Sequence, residues 1–172
     1  FASAWSDGQS SYVGCRPRAS SPSSFIAILA FLVRWHHLVH GSLRDELAKQ
    51  TGGDVHAVQA DMRNEADIKR MVATAKDKLG GVDILVNNAG TMYSGRFAVL
   101  NDDELKNQLE TKLFGFMRAI REVYPIMKAQ KWGAIVNTIG GAGKEPDPYM
   151  FGSAMTNSAL LNMTKSLSEE FG

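Results

Sequence analysis

The chain has 172 residues, 44% of them apolar and 22% charged, enough for one domain with a core of its own. Its 19 basic and 18 acidic side chains leave a formal charge of +1, so nothing electrostatic points to nucleic acid or a membrane surface as partner. The single cysteine, Cys15, rules out an internal disulfide and suits a reducing, cytoplasmic setting.

Residues 1–42 differ from the rest. "FASAWSDGQSSYVGCRPRASSPSSF" is rich in serine and has no clear period. The apolar run that follows, Phe25 to Val33, is too short to span a bilayer. Arg16 and Arg18 precede it as in a signal peptide, but "RWHHLVH" comes next and offers no small-residue cleavage site. His36, His37 and His40 have no cysteine or acidic partner at ligand spacing, so no metal site is expected.

From Leu43 onward each segment has a recognisable pattern. "SLRDELAKQTGG" is the end of a helix, stopped at Gly52 and Gly53. "DVHAVQA", residues 54–60, alternates as a strand does. Residues 64–79 predict a helix capped by Asn64, with Ile68, Met71, Val72, Ala75 and Leu79 on one face and Gly80 at its end. "VDILVNNAG" opens with a short, continuously apolar strand over 82–86, of the kind buried on both faces. Asn101 and Glu104 suggest a capping box for a helix over 102–128, in which Leu105, Leu109, Leu113, Phe116, Met117 and Ile120 recur at three and four. "WGAIVNTIGG" contains a further strand over 133–138, and residues 152–171 a last helix. Strand alternates with helix, which implies an α/β fold: a parallel sheet with helices on both faces, the three strands 54–60, 82–86 and 133–138 being neighbours.

Ligands of such sheets bind beyond the carboxyl ends of the strands. Three ends can be located: "ADMRN", "NNAGTMYSG" and "NTIGGAGKEPDPY". Small residues at 89–90 and 140–143 let a flat molecule approach the backbone. Singly, each is a tight strand-to-helix turn; together, at this spacing, they point to a nucleotide site.

"DILVNNAG", "IVNTIGGAG" and "NSALLNMTKSLSEEFG" together resemble the short-chain dehydrogenase/reductase family, and the resemblance runs over residues 43–172. It implies a Rossmann-type, doubly wound domain, incomplete at both ends. It also implies NAD or NADP as cofactor and hydride transfer to or from a small-molecule carbonyl or alcohol. Asp61 is then expected at the adenine end with Met62 beside the ring, and Asn87, Asn88, Ala89 and Gly90 near the adenosine ribose. Proteins of this family pair their helices across a two-fold axis, so the resemblance also implies a homodimer or homotetramer. Apolar residues such as Phe114, Phe116, Met117, Leu161, Met163 and Leu167 exceed what one sheet face covers, which agrees.

The departures carry as much information. The family's opening glycine-rich phosphate turn has no match in residues 1–42, where Gly8 and Gly14 stand without an apolar strand before them, so this chain by itself is expected to hold NAD(P) weakly or not at all and to have little activity of its own. The family's catalytic tyrosine falls at Ser153, its lysine at Asn157, its serine at Gly140 and its helix asparagine at Lys112. Tyrosine exchanges the carbonyl proton, lysine holds the nicotinamide ribose and favours the phenolate, and serine polarises the carbonyl. Tyr149 precedes Ser153 by four residues, and Ser153 precedes Asn157 by four. A helix beginning early enough presents all three on one side, with Lys112 entering from a neighbouring helix. The expected catalytic set is then Tyr149, Lys112, Ser153 and Asn157, with Tyr149 as proton donor; against it stands the plainer reading that Lys112 snorkels to solvent and Tyr149 packs in a loop beside Pro146 and Pro148. The alternatives are a non-catalytic relative that binds a nucleotide or a partner subunit, and an inert truncated product.

Overall fold

The computed structural model describes residues 9–16, 27–31 and 38–171. Gly8 and the histidines His36 and His37 lie outside them. The strands are β1 (Gln9–Arg16), β2 (Ala27–Phe31), β3 (Asp54–Asp61), β4 (Ile84–Asn87) and β5 (Ala134–Asn137). The helices are α1 (Leu38–Thr51), α2 (Glu65–Leu79), α3 (Asp102–Gln108), α4 (Gly115–Gln130) and α5 (Phe151–Phe171). The sheet order is β3-β1-β2-β4-β5. β2, β4 and β5 pair in parallel, whereas β1 is antiparallel to both β2 and β3. β3 therefore runs in the same direction as β2, β4 and β5, and the carboxyl ends of all four lie along one edge.

Two strands and the start of α1 fall inside residues 1–42, where the sequence shows no clear period. The expectation that 54–60, 82–86 and 133–138 are all neighbours holds for the last two alone. Between β3 and β4 stand β1 and β2, because β4 pairs along its other edge with the apolar residues 27–30 of β2.

Local signals place the helices. The Asn64 carboxamide accepts from the backbone N–H groups of Ala66 and Asp67 at 2.9 and 3.4 Å, and Gly80, at φ 88°, closes α2. Ile68, Met71, Val72 and Leu79 are buried, as the helical spacing required. Asn101 caps α3 through Asp103 N–H at 2.8 Å. The helix expected over 102–128 is one continuous rod through 130, with a π-helical turn at Leu109–Phe114 joining α3 to α4. Beyond that turn, Phe116, Ala119, Ile120, Val123 and Met127 face the core. They meet α2, Leu85 of β4 and Leu160 of α5 in one apolar cluster. Phe116 is thereby fully buried, and Met163 and Leu167 pack on the same cluster, so these three do not add to an outward apolar face. Phe114, Phe151, Met155 and Leu161 remain exposed. Among the described residues no helix is long and apolar enough to cross a membrane.

Candidate functional site

The site lies at the ends of β4 and β5, where two asparagines stand in register. Asn87 Nδ2 donates to Asn137 Oδ1 at 2.9 Å, and Asn137 Nδ2 donates to Thr164 Oγ1 at 2.9 Å. This chain of bonds ties both strand ends to α5. Asn87 and Ala89 are fully buried, while Asn88 and Gly90 are half-buried at the lip.

Lys112 reaches this lip from the π-helical turn. Its Nζ donates to Asn157 Oδ1 of α5 at 2.7 Å. Its stem crosses Gly90, where a Cβ would lie 3.3 Å from Lys112 Cδ. On the other side, a Cβ on Gly140 would lie 2.8 Å from Asn157 Nδ2, and one on Gly143 would lie 2.7 Å from the Asn157 backbone carbon. The pair is thus seated between the turns that follow β4 and β5. Among the described residues no carboxylate faces the ammonium, and burial pushes its pKa below the ordinary 10.5. A single π turn inside an α-helix is often found at functional sites. This one carries Lys112 together with Thr111, whose fully buried hydroxyl has no partner.

Ser153 is buried, and its hydroxyl accepts from Gln108 Nε2 at 2.9 Å. Gln108 Oε1 is buried without a partner. Tyr149 lies elsewhere. α5 begins at Phe151, so Tyr149 sits in the preceding turn and not on the helical face of Ser153 and Asn157. Its ring is 58% exposed, its hydroxyl bonds Arg96, and the Arg96 guanidinium stacks 4.5 Å above the ring centre. Gly95 N–H donates to Tyr149 O at 2.7 Å, and Phe97 meets Phe151 edge-on, which zips residues 95–97 to 149–151. The structure therefore brings Lys112 and Asn157 together, places Ser153 behind them with Gln108, and holds Tyr149 with Arg96.

At the end of β3, the Asp61 carboxylate is gripped by Arg63, whose Nε bonds both oxygens at 3.0 and 3.1 Å and whose Nη2 bonds Oδ2 at 2.7 Å. Arg63 Nη1 continues to Asn107 at 2.8 Å. Gln59, Ala60, Asp61, Asp67 and Arg70 line a shallow cleft here. The Met62 side chain is fully buried beneath Gly115, so it is the Met62 backbone that lies at this strand end. Polar groups thus gather at two places: a cleft at β3, whose Asp61 and Asp67 carboxylates are paired with Arg63 and Arg70, and a lip at β4 and β5 that carries Lys112. Gly141 adds open backbone, with nothing within 4 Å of where a Cβ would stand.

Sequence reasoning missed Gln108, Arg63 and Arg96. Gln108 lies four residues before Lys112 on the same rod, a signal that was there to read. Arg96 and Tyr149 are 53 residues apart, and nothing local links them.

An α/β sheet in which four of five strands run the same way, with a polar site at their carboxyl ends, has the character of a Rossmann-type nucleotide-binding fold. The family model described as short chain dehydrogenase matches residues 35–172, and the chain belongs to that family. Oxidoreductase UcpA of Escherichia coli strain K12 is 36% identical over 130 residues, covering 75% of this chain and 49% of UcpA. A crystal structure of a short-chain dehydrogenase from Streptomyces avermitilis superposes with a TM-score of 0.70 at 27% identity, over 75% of this chain and 48% of the other. The structure of ElxO with NADP bound gives 0.62 at 27% identity, over 64% and 45%. The chain spans about half the length of these relatives.

Proposed function

We propose that this protein is an NAD(P)-dependent oxidoreductase acting on the carbonyl or alcohol of a small molecule. The observation that carries the reading is the Lys112–Asn157 pair. The family's lysine and helix asparagine correspond to Asn157 and Lys112, so the two residue types have changed places across two touching helices. A cation is kept at the strand ends although its helix of origin differs. When bound, a reduced nicotinamide supplies hydride. The chain's own residues hold and orient: Lys112 offers N–H donors to ribose hydroxyls, Asn157 fixes the ammonium, and Gly90 and Gly140 leave room beside them. Tyr149 belongs to the reading as a second acid, able to turn inward only after leaving Arg96. A homodimer or homotetramer, formed through the exposed Phe114, Phe151, Met155 and Leu161, and a cytoplasmic setting, suggested by the single cysteine, complete it.

The test is a panel of ketones, aldehydes and alcohols assayed with NADH, NADPH and their oxidised forms. Turnover on at least one is expected, and Lys112→Met should lower it about a hundredfold or more while nucleotide still binds. Nucleotide binding with no turnover across the panel would favour the non-catalytic reading, which the replacement of all four family positions supports.

A further inference from the structure

We infer that the Lys112 ammonium, held at Nζ by Asn157, is itself the group that gives the carbonyl oxygen its proton, in place of a phenol. The inference rests on the oxidoreductase reading above.

Adding hydride to a carbonyl carbon leaves charge on the oxygen, and some donor must neutralise it. Among the described residues at the ends of β4 and β5, the Tyr93 hydroxyl is tied to Asn107 at 2.9 Å, and through it to Arg63 at the end of β3. The Ser153 hydroxyl is buried against Gln108, and the Asn157 amide is no acid. The Tyr149 hydroxyl is in the exposed turn, bonded to Arg96. Lys112 Nζ carries three N–H donors and spends one on Asn157, which leaves two for a ligand.

Among the described residues, the charged groups around it form no ion pair with it. On the π-helical turn Glu110 bonds Arg118 at 2.9 Å, and on α3 Asp103 lies 3.5 Å from Lys106. The turn after β5 carries Lys144, Glu145 and Asp147, all exposed. The strand end 87–91 has no acid, and α5 has none before Glu169. Burial makes the ammonium a readier acid than an ordinary lysine. Asn157 supplies orientation through a neutral oxygen, which fixes the donor without adding a charge that would hold the proton back.

The step balances. As the carbonyl carbon gains hydride from a reduced nicotinamide, the carbonyl oxygen takes H⁺ from Nζ. The products are an alcohol, the oxidised nicotinamide and a neutral Lys112 amine, which solvent reprotonates. Alcohol oxidation runs the same transfers backwards, with neutral Lys112 as base.

The first measurement needs no cofactor. Reductive methylation of the full chain with formaldehyde and cyanoborohydride, mapped by mass spectrometry across pH, reads the fraction of neutral amine at each lysine. Lys112 should reach half-reaction at a lower pH than the exposed lysines do. Asn157→Asp, which sets a carboxylate against the ammonium, should move the Lys112 midpoint up by about one unit or more and leave the other lysines in place. The second measurement is the pH–rate profile of the active protein. Its limb should coincide with the Lys112 midpoint, move with it in Asn157→Asp and vanish in Lys112→Met. In Tyr149→Phe the limb should stay at the wild-type pH. A Lys112 midpoint equal to that of the exposed lysines, in a protein that reduces carbonyls, overturns this assignment alone. So does a limb that survives Lys112→Met and disappears in Tyr149→Phe. A lowered Lys112 midpoint in a protein that reduces no carbonyl overturns the oxidoreductase reading and this assignment with it.

Discussion

Asn87 and Asn137 face each other at the ends of adjacent parallel strands, and the carboxamide of one donates to that of the other at 2.9 Å. The bond is directional, because Asn137 passes its own N–H on to Thr164 of α5. Replacing Asn137 with alanine leaves the fully buried Asn87 amide without its acceptor. The expected cost is about 1–3 kcal/mol of unfolding free energy, the usual penalty for a stranded buried donor. Urea unfolding of Asn137→Ala against the wild type measures it. An unchanged midpoint would mean that the chain of bonds contributes little.

The glycines beside Asn157 yield a second prediction. Gly140→Ser puts in the serine that the family resemblance leads one to expect at that place. Here the new Cβ would lie 2.8 Å from Asn157 Nδ2. The contact is with a side chain that can give way, but moving it pulls Asn157 from Lys112. Gly143→Ala meets the backbone of α5 at 2.7 Å, which has less room to yield. Both should destabilise by about 1–3 kcal/mol, Gly143→Ala the more, and thermal unfolding ranks them. A Gly140→Ser protein as stable as the wild type, with the lysine midpoint unmoved, would show that the seat is looser than described.

Lys112 also sets a pH dependence. Its folded pKa lies below the 10.5 of an ordinary lysine, so the unfolded chain binds more protons there than the folded one. Stability from this residue therefore rises with pH, from the lowered folded value up to 10.5, and below that window the buried charge is a fixed cost. Lys112→Met should flatten the alkaline rise and gain stability at neutral pH. Unfolding free energies measured from neutral to alkaline pH give the slope. An identical slope in wild type and variant would mean that Lys112 is solvated.

Asp67 acts at the other end of the pH scale. Its carboxylate accepts from Arg70 at 2.8 Å and from the Asp61 N–H at 2.9 Å, and these bonds hold its pKa below the ordinary 3.8 of an aspartate. The contribution is present above that value and fades as pH falls through the lowered one. Asp67→Asn should weaken the joint between β3 and α2 at neutral pH and make the acid limb of the stability curve shallower. Acid titration followed by circular dichroism tests it; an acid limb of unchanged steepness would sink the claim.

Arg96 and Tyr149 hold two turns together at the surface, where a single contact is worth little. Arg96→Ala should change global stability by less than about 1 kcal/mol. It should nonetheless open the segment around 93–99 to proteases, since local opening needs far less energy than unfolding. Limited proteolysis with fragment mapping distinguishes the two effects. Cleavage elsewhere, or none, would count against the latch.

The sequence by itself determined the elements whose signals are local. Asn64 and Gly80 bracket α2 because a side-chain acceptor and a left-handed glycine satisfy a helix's end groups wherever the helix packs. The apolar strands, the "NNAG" turn and the family they resemble were legible in the same way, as was Lys112 as an anomaly in an apolar stretch. Tertiary structure alone decided the rest. The sheet order depends on which edges meet, and residues 9–16 and 27–31 hold no periodic signal that would place two strands between β3 and β4. The helix start at Phe151 sends Tyr149 to Arg96, a pairing across 53 residues. Lys112 meets Asn157 across 45 residues. Hydrogen bonds of this reach are made by packing, because a side chain's partner is whatever the fold brings within 3 Å of it.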